Sequence, residues 1–141
     1  MSRLALFICA LFASVFLSLA SPVPVMNGEL VNLEARLTRV GRGTWYYPGL
    51  GNCGDDNNSS ELVLAIGKSL YDQNGGGNCN QYVQITNVAN GKTAIGQTKD
   101  SCPGCGDNDL DMSPALFEKL GSLSTGVLDI SWHFMAKDWK P

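Results

Sequence analysis

The sequence predicts one all-β domain with short helices. From Gly41 onward, short apolar runs are broken every few residues by Gly, Asn and Asp, the pattern of closely spaced strands and turns. Two runs, around Val83 and Ile85 and across residues 127–134, alternate with the period of two that a half-buried strand requires.

The elements follow in order. Residues 44–47 (TWYY) form a first strand closed by Pro48-Gly49. Residues 62–66 are a continuous apolar run ended by Gly67, a length at which a buried strand and a helical segment share one signature. A turn of helix fits residues 68–71, and Gly75-Gly76-Gly77 reads as a loop before Cys79. Residues 82–87 and 92–98 pair as a hairpin, with Asn90-Gly91 supplying the positive φ angles of a type I′ turn. Ser113 is an N-cap and Pro114 the first helical residue of a helix over 114–120, whose Leu116, Phe117 and Leu120 share one face before Gly121. In the last strand Leu128, Ile130, Trp132 and Phe134 point inward, so His133, the chain's one histidine, points outward.

The chain has 141 residues and begins with Arg3 and then an apolar run ending at Ser18-Leu19-Ala20. That is the form of a secretory signal over residues 1–20, and the run of about 17 residues is marginal as a membrane span. Residues 21–40 read as a flexible tail or pro-segment in which 32–39 could form a brief helix. The domain is placed at 41–136, with a short tail over 137–141. Export puts Cys9 in the signal and leaves Cys53, Cys79, Cys102 and Cys105, an even set that an oxidising compartment turns into disulfides. The expected pairing joins Cys102 and Cys105 to Cys53 and Cys79, in either order. Two overlapping sequons make Asn57 and Asn58 candidate glycosylation sites.

Ten Lys/Arg against thirteen Asp/Glu give a net charge of −3, which argues against nucleic acid and anionic membrane surfaces as partners. It leaves a neutral polysaccharide open. A monomer without cofactor is expected.

The densest chemistry lies in KDSCPGCGDNDLDMS, residues 99–113. Structural zinc would need a second close Cys or His pair, and a thioredoxin-like couple would sit at a helix start after a βαβ unit; neither context is present. An activated nucleophile would need a base, and the histidine faces away. The carboxylates remain. Asp100 ends a strand and Asp111 precedes a helix cap, so both can be held rigidly, whereas Asp107 and Asp109 read as solvated loop residues. Inverting glycoside hydrolysis uses two such groups about 6.5–9.5 Å apart. For Asp111 the plainer reading is an acid that favours a helix N-terminus.

The segments GTWYYPGLGNCG, TKDSCPGC, LDMSPALFEKLG and GVLDISWHF together resemble the secreted expansin-like and RlpA-like proteins, over about residues 41–135. CPGC beside DLDMSPALF is most similar to fungal single-domain forms called loosenins. The resemblance implies a six-stranded double-psi β-barrel of the barwin or expansin domain 1 kind, with short helices. It also implies that Thr44, Asp100 and Asp111 line a polysaccharide groove with Trp45 and Tyr46 beside it, Asp111 being the residue most needed for wall loosening. The chain departs from the group at several points. Related family-45 glycoside hydrolases carry a base aspartate on the first strand, where this chain has TWYY; RlpA-type lytic transglycosylases carry a histidine that ELVLAIGKSLY lacks; and Cys102 stands where expansins have a tyrosine. Two-domain expansins also have a second, carbohydrate-binding β-sandwich, whereas this chain ends seven residues after Phe134. The expected function is therefore non-hydrolytic binding and loosening of cell-wall polysaccharide, cellulose or chitin, and the reading leans against an enzyme. Two alternatives stay open: a protein-binding module, such as a protease inhibitor or host-interacting effector acting through residues 54–61 or 73–80, and a weak glycoside hydrolase or lytic transglycosylase working by Asp111 alone.

Overall fold

The computed structural model describes residues 37–141; the expected signal segment, Cys9 and the tail up to residue 36 lie outside them. Six strands, β1 (Arg39–Trp45), β2 (Val63–Gly67), β3 (Tyr82–Asn87), β4 (Thr93–Cys102), β5 (Leu110–Met112) and β6 (Leu128–Phe134), are accompanied by helices α1 (Lys68–Gln73) and α2 (Pro114–Leu120) and a 3₁₀ turn at Leu123–Thr125. The strands close into a barrel in the order β1-β5-β2-β4-β3-β6. The β1/β5 and β2/β4 pairs are parallel and the other four antiparallel. Closure leaves no unpaired sheet edge, and it brings residues distant in sequence side by side.

The core follows from strand alternation. Leu64, Ile66, Val83, Ile85, Leu110, Met112, Ile130, Trp132 and Phe134 all point into the barrel with at most 1% exposure, each such burial contributing about 1.5–3 kcal/mol. Helix α2 adds Leu116, Phe117 and Leu120 to the same cluster. It lies so close to β4 that a Cβ on Gly96 would stand 2.4 Å from Leu116 Cδ2. Ser113 caps α2 as expected, its side chain accepting from the Leu116 amide.

Several expectations are corrected. β1 begins at Arg39, ahead of both the expected boundary at Gly41 and the expected strand at 44, because it pairs with β6 from Arg39↔Trp132 onward. Its glycines permit tight neighbours: a Cβ on Gly41 would stand 2.2 Å from the Asn108 carbonyl oxygen. The possible helix over 32–39 therefore does not extend to its end, where Leu37 and Thr38 are irregular and Arg39 is strand. The hairpin between β3 and β4 does not use a type I′ turn. Asn90 has negative φ, only Gly91 is left-handed at φ 73°, and residues 88–92 form a five-residue connection within which Gly91 N donates to Asn87 O at 2.8 Å. Asn87 and Asn90 both donate their side-chain amides to the Leu120 carbonyl, so the turn is shaped by the end of α2 rather than by its own two central residues. The C-terminal tail is also engaged: Trp139 packs edge-on against Tyr82 and Lys137 donates to the Gly77 carbonyl.

The disulfides join Cys53 to Cys79 and Cys102 to Cys105, overturning the expected cross-pairing. Two loops meet over one point of β4. Cys53 donates its amide to the Lys99 carbonyl, and Asn80, next to Cys79, donates to the Thr98 carbonyl. Cys102 and Cys105 are turned back on each other through Pro103-Gly104, with the Cys105 amide on the Cys102 carbonyl.

Candidate functional site

Strand register builds the site. Thr44 on β1 is the direct partner of Asp111 on β5, Asp111 of Ala65 on β2, and Ala65 of Asp100 on β4. Four neighbouring strands thus present one row, Thr44-Asp111-Ala65-Asp100, across the outside of the barrel, since the inward positions are those of Leu64, Ile66, Leu110 and Met112. Three sequence-predicted site residues are brought together by strands that are far apart along the chain.

Each carboxylate is fixed by a different device. Thr44 Oγ1 donates to Asp111 Oδ1 at 2.8 Å. Asp100 Oδ1 accepts from the amides of Asn52 at 2.9 Å and Ser101 at 2.8 Å, and the Asn52 side-chain amide donates to Ser101 Oγ. The loop carrying Asn52 lies directly on β4, since a Cβ on Gly51 would stand 2.4 Å from the Lys99 carbonyl oxygen. Half-burial pushes the Asp111 carboxyl above its usual range, against the opposing effect of the Thr44 hydrogen bond. Tyr46 follows Thr44 on the same face of the chain and extends the ladder with its amide on the Met112 carbonyl. Its phenol is pushed far above the usual range, first by burial and then by the charges of Asp100 and Asp111, which places it within the field of both carboxylates.

The other sequence candidates are distributed differently. Trp45 alternates to the opposite side of β1, where it packs on the core and gives its indole N–H to the Leu123 carbonyl at 3.1 Å. Tyr47 lies edge-on to Trp45 with ring centroids 5.5 Å apart and is 74% exposed, beside Leu50 at 77%. Asn58 is exposed, its side chain accepting from Ser60, while the Asn57 side-chain amide donates to Glu61.

A cavity of about 200 Å³ opens at the Asp111 end, lined by Arg42, Thr44, Asp109, Asp111 and the Cys102–Cys105 disulfide. Asp109 is not the solvated loop acid that the sequence suggests. It accepts from the amides of Arg42 at 2.9 Å and Gly106 at 3.0 Å and faces the Arg42 guanidinium at 3.5 Å. Burial works against its charge, but these donors outweigh it and hold the carboxyl below its usual range. Atoms of metal-ligand type on Cys102, Cys105 and Asp111 lie within 4.8 Å of one another, yet the sulfurs are bonded to each other and offer no thiolate.

No family model matches the chain. Expansin-like protein 5 of Dictyostelium discoideum is 31% identical over 130 residues, 84% of this chain and 53% of that protein. The papain inhibitor of Streptomyces mobaraensis is 34% identical over 102 residues, 68% of this chain and 71% of the inhibitor; a solved Streptomyces papain inhibitor superposes with a TM-score of 0.63 at 30% identity, over 94% of its chain. The crystal structure of a point variant of Clavibacter michiganensis expansin in complex with cellohexaose superposes with a TM-score of 0.64 at 27% identity, covering 74% of this chain and 54% of that one. The chain belongs to the expansin-like and RlpA-like double-psi β-barrel family. It spans about a quarter to a half of the length of the Dictyostelium expansin-like proteins, from 26% to 53%.

Within this expansin-like barrel, the sequence pointed to Thr44, Tyr46, Asp100 and Asp111 but missed Asn52, Ser101 and Arg42 around them. Asn52 and Ser101 act through the backbone, which leaves no mark on residue type. The alternation in TWYY could have shown that Thr44 and Tyr46 share a face that Trp45 does not.

Proposed function

We propose that this protein binds cell-wall polysaccharide, cellulose, chitin or a related glucan, in the groove crossed by the row Thr44-Asp111-Ala65-Asp100, and loosens chain packing without cleaving it, as loosenin-type proteins do. The row is the observation that carries the reading: two fixed carboxylates and a hydroxyl on one face, with the Tyr46 phenol beside them, are suited to hydrogen-bond sugar hydroxyls. Bonds of that kind contribute about 1.5–3 kcal/mol each and compete with glucan-to-glucan contacts. On the first strand, where related glycoside hydrolases carry a base aspartate, the partner of Asp111 is the hydroxyl of Thr44, which favours binding over hydrolysis. The test is to incubate purified protein with cellulose and chitin and measure both retention on the solid and reducing sugar. Retention without sugar release is expected; release that Asp111→Asn abolishes would make it a glycosidase.

A second reading is a protease inhibitor. It is favoured by the papain inhibitor's near-complete coverage and by the apolar loop tip formed by Tyr47 and Leu50, where an enzyme cleft could grip. Papain activity measured with and without the protein decides it. Inhibition that Leu50→Asp removes and Asp111→Asn leaves intact would place function on that loop.

A further inference from the structure

We propose that Asp100 and Asp111 are specificity-determining residues that select a β-1,4-linked polymer of cationic amino sugar, a glucosamine chain, over its N-acetylated and neutral counterparts. The inference rests on the groove reading above and names its substrate class.

Asp111 and Asp100 flank the same residue, Ala65, one on each side. Their Cα atoms are therefore two strand spacings apart, roughly 9.5 Å. In an extended β-1,4 chain successive rings are turned over, so the substituent at carbon 2 returns to the same edge only at every second ring. That disaccharide repeat is close to two strand spacings. A chain laid across the strands presents one 2-amino group to each carboxylate. Between the two carboxylates Ala65 is buried, and the half-buried Tyr46 stands in the field of both acids, so the chain's contacts on this face fall on the two carboxylates.

The charge pattern agrees with the spacing. Arg42 on β1, Lys99 on β4 and Lys68 directly after β2 are already matched, by Asp109 at 3.5 Å, Asp55 at 2.6 Å and Asp72 at 2.6 Å. Asp111 has a neutral partner in Thr44, and Asp100 has only backbone amides, all on Oδ1. Neither takes part in an ion pair among the described residues. An ammonium group would give each a charge-assisted hydrogen bond, about twice as strong as the bond from a hydroxyl. Half-burial of Asp111 lowers the competition from water. An N-acetyl group replaces the charge with an amide and adds bulk at the contact.

The experiment is a calorimetric and NMR titration with the hexaoses of glucosamine, N-acetylglucosamine and glucose at about pH 6, below the range in which amines lose their charge. Glucosamine hexaose should bind at least about 10-fold more tightly than the other two, with shifts confined to β1, β5, β2 and β4. Asp100→Asn and Asp111→Asn should each remove the preference. Glu118→Gln, which deletes a charge beside a separate hollow with Leu62 and Lys119, should keep it. Equal or tighter binding of the N-acetylated or glucose hexaose in the groove overturns amine selection and leaves the groove reading standing; no binding of any hexaose overturns both. Hexalysine binding as tightly as glucosamine hexaose, or an unchanged preference in the Asp variants, also overturns the inference, because attraction of any cation would then explain the result.

Discussion

Thr44 Oγ1 donates to Asp111 Oδ1 at 2.8 Å, between two residues that are direct partners across the parallel β1/β5 pair. The bond uses one carboxylate oxygen to fix the side chain and leaves Oδ2 without a protein hydrogen bond among the described residues. Thr44→Val keeps the β-branched shape and removes the donor. It should weaken polysaccharide retention several-fold, and a double-mutant cycle with Asp111→Ala should give a coupling of about 1 kcal/mol. Additive losses in the pull-down series would show that the two residues act separately.

Asp111 should set a pH dependence of stability. Its native carboxyl holds a proton more tightly than the unfolded chain does, so its contribution favours the fold fully below the ordinary carboxylate range and is lost as pH rises through the raised native value. Asp111→Asn, which keeps an acceptor for Thr44, should therefore be more stable than the parent at neutral pH and no more stable in acid. Screened by solvent at a half-exposed site, the gain should be small, under about 1 kcal/mol. Thermal melts at the two pH values check it.

Gly51→Ala should separate groove function from folding. The added Cβ meets the Lys99 carbonyl oxygen at 2.4 Å and Asp100 Cβ at 3.1 Å, so the loop must lift and take the Asn52 amide off Asp100. Loss of binding with barrel structure retained is expected, measured by retention on polysaccharide beside far-UV circular dichroism. Unchanged retention would remove Asn52 from the account.

The two disulfides should differ in what their removal costs. Cys53–Cys79 closes a separation of 26 residues and Cys102–Cys105 one of 3, for which chain entropy gives about 3.5 and 1.6 kcal/mol. Denaturant melts of the Cys53→Ala/Cys79→Ala and Cys102→Ala/Cys105→Ala proteins test the order. The opposite order would mean that the short bridge does more than close a loop.

The sequence made the barrel readable where strands alternate over several residues, as in Val83 to Ile85 and Leu128 to Phe134, and where a helix announces itself through Ser113-Pro114. It did not reveal β5. Three residues, Leu110, Asp111 and Met112, are too few for a period to show, and they are strand only because β1 and β2 bond to them from both sides. The groove acids were legible as types near a turn. Their common face was not, because it depends on Ala65 lying between strands that the chain order keeps apart. The disulfide pairing was misread for a related reason: nothing in the spacing says that the Cys53 and Cys79 loops both settle over Thr98 and Lys99.

Each groove aspartate has a disulfide beside it. Cys53 follows Asn52, whose amide holds Asp100, and the Cys102–Cys105 sulfurs lie within 4.8 Å of an Asp111 oxygen. Neither bridge belongs to the hydrophobic core cluster, and both lie beside the two acids. A reduced chain would lose the loop-closure stabilisation of both bridges and hold the two acids less firmly. Oxidation thus does two things at once, tightening the chain and fixing the row of acids, and neither bridge persists where thiols are kept reduced.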